Sequence, residues 1–390
     1  MNPKNMDILS VQDRAKNRRS LGFRVINGSA GMLYHDDRSL CTYESVNAFI
    51  RKNFDSYLSY PNPIGSKEYR EGVLSWIFQE EREEIEQTYH IACSCSLGGT
   101  GALSMSMNLT KENDGVIILS DLNWPNYFHL CDVCGIDYVK YERFDETGHF
   151  SFSSLKQGID QGLKDHPCAT LILNDPCQNP TGYCFSYDEY EQLFRLLSSY
   201  QGKVTLLMDI AYFNYAPMGF LFRDYLLKHH ADFPIEVAFS CSKCFGLYGM
   251  RLGALLLLTE SEEEKTALEN RMYSYARGTY SCPNNGAMGP IAKLLNDPEA
   301  LHQTAIDISI ENKRLTAIGK ALSKVLDEKH IDHFPYGGGF FVTAKVEGAT
   351  AFCLALEEKD IFLVPIADRY VRIAVSGLNM DDVALLRDNL

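Results

Sequence analysis

Apolar positions fall in short blocks along the middle of the chain, at residues 90–95, 115–120, 138–141, 170–174, 204–208, 237–240 and 254–258. Stretches with helical spacing lie between them, at 126–134, 153–164, 186–200 and 224–230. Nearly continuous apolar strands separated by helices predict a mainly parallel, seven-stranded sheet covered on both faces. Right-handed crossovers then bring the C-terminal strand ends to one rim, where ligands bind.

The flanking patterns differ. Residues 21–40 are irregular and punctuated by glycine, which predicts either a loop that meets something or a linker. A helix is predicted over 42–55 from Val46, Phe49, Ile50 and Phe54, and another over 66–82 with Ser66 as N-cap. A glycine turn at 97–103 opens a helix to about Leu109. Beyond residue 297 the pattern becomes a long helix to 326, short strands at 340–342, 363–364 and 371–375, and a last helix from Met380. The fold class is therefore α/β with a smaller α+β domain. The predicted division is an arm at 1–40 that also serves the small domain, a large domain at 41–295 and a small domain at 296–390.

Composition narrows the function. A chain of 390 residues with 45% hydrophobic and 23% charged content is an ordinary globular protein with ample core material. Its net charge of −14 argues against nucleic acid as a partner. No window approaches the ~18 apolar residues of a membrane span. Residues 1–7 lack the apolar region of a secretory signal. The twelve scattered cysteines then read as free thiols in a reducing cytoplasm. Cys131/Cys134 and Cys241/Cys244 have zinc-like spacing, but no histidine cluster accompanies them and no metal is expected.

Candidate chemistry concentrates at 237–253, where an apolar run ends in Ser240, Ser242 and Lys243 and is followed by Arg251. A lone lysine there is ordinarily a solvated loop residue. Its companions change that reading. Polar groups at 121–124, 175–182, 209–212 and 240–243 end four different strands and converge on one rim. Gly99 and Thr100, at a helix start, leave backbone N–H groups free for an anion such as phosphate.

Gly-Thr-Gly-Ala, Trp-Pro-Asn, Asn-Pro-Thr-Gly, Asp-x-Ala-Tyr, Ser-x-Ser-Lys and Gly-Leu-Tyr-Gly-x-Arg-x-Gly follow one another in this order. Together they resemble the class I pyridoxal-phosphate aminotransferases, and within them the aspartate and aromatic group, over nearly the whole chain from Ile26. The resemblance implies fold type I and pyridoxal 5'-phosphate as cofactor. Lys243 would form the Schiff base and shuttle the substrate's α-proton, Asp209 would pair with the pyridine nitrogen, and Asn179 and Tyr212 would donate to the phenolic oxygen. The phosphate would be held by Gly99, Thr100, Ser240, Ser242 and Arg251, with Trp124 stacked on the ring. Tyr60 would reach the phosphate of a neighbouring subunit, which implies a homodimer with shared sites.

On the substrate side, Arg372 would fork onto the α-carboxylate with help from Asn179. Gly31 and Trp124 would line the substrate, and Arg277 would cross the interface to a distal carboxylate. The implied activity is a ping-pong exchange between aspartate or an aromatic amino acid and a 2-oxo acid, with glutamate/2-oxoglutarate as partner pair. A β-lyase would use the same cofactor residues, and a non-catalytic regulatory module is the remote alternative. Three departures from the family pattern stand out: Tyr127 and Gln178 where histidines are usual, which would retune the nitrogen pair, and Gly337-Gly338-Gly339, which would loosen the small-domain side of the pocket.

Overall fold

The computed structural model describes residues 5–390; residues 1–4 of the predicted arm, and of the stretch read for a signal, lie outside the described residues. Strand β1 (Ile26–Asn27) belongs to the arm. The large sheet then comprises β2 (His90–Ser96), β3 (Val116–Ser120), β4 (Tyr138–Tyr141), β5 (Ala169–Asn174), β6 (Val204–Asp209), β7 (Ile235–Ser240) and β8 (Gly253–Thr259). Their order across the sheet is β2-β8-β7-β6-β5-β3-β4. Only β8 runs against its neighbours, pairing antiparallel with both β2 and β7. The central strands are buried on both faces, whereas the edge strand β4 keeps Tyr138 and Lys140 at the surface.

Each crossover helix has a sequence reason for its start and its buried face. Ser186 opens Tyr187–Ser198 with a reciprocal capping box to Glu189, and Tyr190, Leu193, Phe194 and Leu197 form the inward stripe. Burial of each such side chain stabilises by roughly 1.5–3 kcal/mol, so Leu193→Ala would cost about 2–5 kcal/mol with its cavity. Gly135 ends Asn126–Cys134 in the left-handed region. The helix expected at 224–230 begins three residues earlier and ends two earlier, at Leu221–Lys228, because Phe222, Tyr225 and Leu226 supply its buried face.

The smaller sheet comprises β9 (Phe341–Lys345), β11 (Val364–Ile366) and β12 (Tyr370–Ala374), all antiparallel, with β12 in the middle. Between β9 and β11, β10 (Ile361–Phe362) pairs in parallel with β1, so the arm and the C-terminal segment share a ladder. The arm also contains the helix Ile8–Ser20. It buries only Val11 and Ala15, and Arg14 and Arg18 pair it to Glu357 and Asp360. The helices Glu262–Thr279, Asn285–Leu295 and Ala349–Glu357 were not anticipated. Among the described residues, no helix is long and apolar enough to cross a membrane.

The run Gly337-Gly338-Gly339, expected to loosen the small-domain side of the pocket, packs closely instead. A Cβ at Gly337 would stand 2.8 Å from Cys184 Sγ, and one at Gly339 2.4 Å from Cys177 Cβ. Gly337 and Gly338 also donate their N–H groups to the Gly182 carbonyl at 2.9 and 3.2 Å. The missing side chains allow the segment before β9 to press onto the loop after β5.

Candidate active site

The C-terminal ends of β5, β6 and β7 open into a cavity of about 280 Å³ that β9 and β12 wall from the other side. It brings together Gly31, Gly99, Thr100, Trp124, Asn179, Asp209, Tyr212, Ser240, Ser242, Lys243, Arg251 and Arg372. Tyr60 and Arg277 do not line it. Tyr60 is 93% exposed, and Arg277, on the last turn of Glu262–Thr279, is exposed and donates to Ser281 Oγ.

Strand ends set the spacing. Asp209 is the last residue of β6 and Ser240 the last of β7; a single helical turn, Cys241–Cys244, then presents Lys243. Its amine donates to the Gly31 carbonyl and faces the rings of Tyr248, Phe340 and Tyr212 at 4.7, 5.6 and 5.8 Å. Burial, with the Arg251 and Arg372 charges nearby, lowers the amine pKa to about 7, and Asp209 opposes the shift. A large part of the amine population is therefore unprotonated and nucleophilic near neutral pH.

Asp209 is 6% exposed. Its Oδ2 accepts the Tyr127 hydroxyl at 2.6 Å and its Oδ1 accepts the Ala211 N–H at 3.1 Å. Burial raises this carboxyl's pKa, while those two donors and the Lys243 charge hold it down. Tyr127 thus touches the aspartate directly, and its ring lies edge-on to Trp124 with centroids 5.5 Å apart. Gln178 does not take part in this pair. Its amide is spent on the loop, donating to the Leu122 carbonyl at 2.9 Å and accepting Thr181 N–H at 3.1 Å.

At the cavity's other ends stand two arginines. Arg251 donates to Ser242 Oγ at 3.3 Å and to the Tyr248 carbonyl at 2.9 Å. Gly98, at φ +71°, opens the helix Gly98–Glu112; a Cβ there would meet Arg251 Nη2 at 2.6 Å. The glycine lets guanidinium and helix N-terminus share one anion-binding corner. Arg372, in the middle of β12, is 3% exposed. It donates to the Ser29 carbonyl at 2.8 Å and to Asn179 Oδ1 at 3.5 Å, and its Nε has no partner. Burial pulls its pKa down to about 10, so it stays cationic at neutral pH.

Sequence reasoning passed over two framing residues. Asn174, the last residue of β5, donates to the Asp209 carbonyl and accepts the Asn179 N–H, both at 2.8 Å. Tyr248 accepts the Leu33 N–H at 2.9 Å, tying the arm's loop to the site. Asn174 stood at a strand end and Tyr248 inside the glycine-flanked motif, so position pointed to both.

The donor set fits pyridoxal phosphate. One corner offers a guanidinium, two hydroxyls and helix amides; a depressed lysine amine and a buried carboxylate line the cavity with them, as does Arg372, whose Nε is unpartnered. A seven-stranded sheet of this order with a lysine just after β7 defines the fold type I pyridoxal-phosphate transferases.

The family described as aminotransferase class I and II matches residues 24–390, and the chain belongs to it. It is a pyridoxal-phosphate-dependent aminotransferase, exchanging amino groups between amino acids and 2-oxo acids through a Schiff base. The aromatic-amino-acid aminotransferase of Escherichia coli K12 is 26% identical over 92% of this chain and 90% of its own length. The aspartate aminotransferase of Pseudomonas aeruginosa is 27% identical over 70% of this chain and 69% of its own. Among solved structures, an aminotransferase from Anaerococcus prevotii superposes with a TM-score of 0.90 at 24% identity, covering 99% of this chain and 96% of that one.

Proposed function

We propose that this aminotransferase takes aspartate or an aromatic amino acid as donor, with glutamate and 2-oxoglutarate as the partner pair, and works as a cytoplasmic homodimer with shared sites. The carrying observation is Arg372, a buried guanidinium with no carboxylate beside it among the described residues and with Nε unpartnered. A buried cation without a counter-ion is costly, and a substrate α-carboxylate would neutralise it.

The other roles follow from charge and reach. Arg372 clamps the α-carboxylate while Asn179, beside it, fixes the fork's orientation. Lys243, with its depressed amine pKa, takes the proton from the donor Cα in the first half of the exchange and delivers a proton to the Cα of the oxo acid in the second. Asp209, whose carboxyl oxygens accept from Tyr127 and Ala211, would hold the ring nitrogen; Arg251, Ser240, Ser242, Gly99 and Thr100 would hold the phosphate. Asn179 and Tyr212 would flank the phenolic oxygen, and Trp124 would cover the ring face. When bound, the cofactor supplies an aldehyde for amine capture and a ring that takes up electron density. Gly31, whose carbonyl accepts from the Lys243 amine, would close the substrate side.

Tyr60 and Arg277 support the dimer reading through their exposure, since neither side chain has work in its own protomer's cavity. A distal cation supplied by a second copy suits a dicarboxylate, and the relatives named for aspartate and for aromatic amino acids carry both donor classes forward. The net charge of −14 and free cysteines accord with the cytoplasmic assignment. A donor panel against 2-oxoglutarate, followed by oxo-acid release, tests the substrate. Aspartate or tyrosine should exceed alanine and lysine by at least tenfold in kcat/KM, and equal turnover of all donors would sink the assignment.

A further inference from the structure

Two thiols that the transamination chemistry leaves unused close the base of the loop that carries Asn179. Cys177 and Cys184 stand with sulfurs 3.8 Å apart, and the Cys177 N–H donates to Cys184 Sγ at 3.2 Å. Cys177 is fully buried; Cys184 is partly exposed in the wall of a separate cavity of about 580 Å³. Neither is a solitary cysteine, because each sulfur's nearest reactive neighbour is the other.

We infer that Cys177 and Cys184 form a dithiol modification site for hydroperoxides, whose oxidation to a disulfide weakens substrate binding at Arg372. Partial exposure makes Cys184 the sulfur that a hydroperoxide reaches first, since Cys177 is buried behind it. Its thiolate attacks one peroxide oxygen; the S–O bond forms, the O–O bond breaks, and the leaving alkoxide is protonated to an alcohol. The Cys177 thiol then attacks that sulfur. The S–S bond forms, the S–O bond breaks, and hydroxide departs with the Cys177 proton as water. Two thiols and one hydroperoxide thus give a disulfide, an alcohol and a water, with two electrons passing from sulfur to oxygen.

Closing the bond draws the sulfurs together by about 1.8 Å. The loop between them has little slack. Asn179 donates its N–H to Asn174, Pro180 accepts Thr343 Oγ1, and Gly182 accepts from Gly337 and Gly338. Movement at Cys177 therefore reaches Asn179, two residues on, whose side chain accepts from Arg372. This consequence rests on the assignment of Arg372 to the substrate carboxylate; the oxidation does not.

The test treats the holoenzyme with one equivalent of hydrogen peroxide, alkylates remaining thiols and maps peptides by mass. A joined Cys177–Cys184 peptide lacking two hydrogens, reversed by dithiothreitol, is expected, with donor KM raised about tenfold as for loss of a hydrogen bond to a charged group. Cys184→Ser should keep wild-type KM and lose the peroxide response. Cys177→Ser should stop at a dimedone-reactive Cys184. Oxidation of other cysteines first, or over-oxidation of Cys184 without a cross-link, overturns the site. A complete cross-link with unchanged KM overturns its coupling to Arg372 and leaves the aminotransferase assignment standing.

Discussion

Arg372 and Arg277 carry the same guanidinium in opposite surroundings. Arg372 lies inside the cavity, 3% exposed, with burial drawing its pKa down to about 10 and its Nε lacking a partner. Arg277 stands in solvent at a helix end and donates to Ser281 four residues on. The same contrast separates the two sets of residues to which they belong. The rim set, around Lys243 and Asp209, is assembled within one chain; Tyr60 and Arg277 face outward. A charge acts strongly only where water is excluded, so the rim is potent as folded, whereas the exposed set would act strongly only with a second surface over it.

The largest break in that comparison should come from the rim. Lys243→Ala should lower kcat by about 10³–10⁴-fold or more and abolish trapping of the cofactor by borohydride; a still-trapped cofactor would remove Lys243 from its role. In the cofactor-free protein, reaction of the amine with an aldehyde probe should rise with pH through about 7 and level off, because only the unprotonated amine is nucleophilic. Arg372→Lys should reduce kcat/KM for every donor by about 3 kcal/mol, on the order of 100-fold, since an ammonium cannot reproduce the fork.

Smaller and more selective effects should come from the exposed set. Arg277→Ala should reduce kcat/KM for aspartate and glutamate by roughly 10- to 100-fold and spare alanine; equal losses would place the arginine outside substrate recognition. Tyr60→Phe should weaken cofactor binding by about 1.5 kcal/mol, roughly tenfold in Kd by fluorescence titration. Full activity in a monomer at sedimentation equilibrium would end the shared-site reading for both residues.

The strands and the rim were legible because burial on both faces demands unbroken apolar runs, and the polar residues that follow the parallel runs land on one edge. Elements whose stability comes from partners were less so. Ile8–Ser20 is polar nearly throughout and docks through Arg14 and Arg18. Asn285–Leu295 hides its helical character behind two glycines and Pro290, and is held by burial of Met288, Ile291, Leu294 and Leu295. Gln178 shows the same limit at side-chain scale: its position beside Asn179 suggested a place behind Asp209, yet its amide turns to Leu122 and Thr181.

The sequence alone determined the strand set, the rim and the lysine, arginine and aspartate types on it, since periodicity and strand-end position are local properties of the chain. Only tertiary structure decided their physical state. Burial lowers the Lys243 amine pKa to about 7, and that burial joins neighbours in sequence, Tyr248 and Arg251, to residues more than a hundred positions away, in β12 and at Gly31. Tyr127 reaches Asp209, 82 positions on, and Arg372 reaches Asn179, 193 positions back. Desolvation and pairing depend on what packs alongside, and that is settled by crossovers between strands.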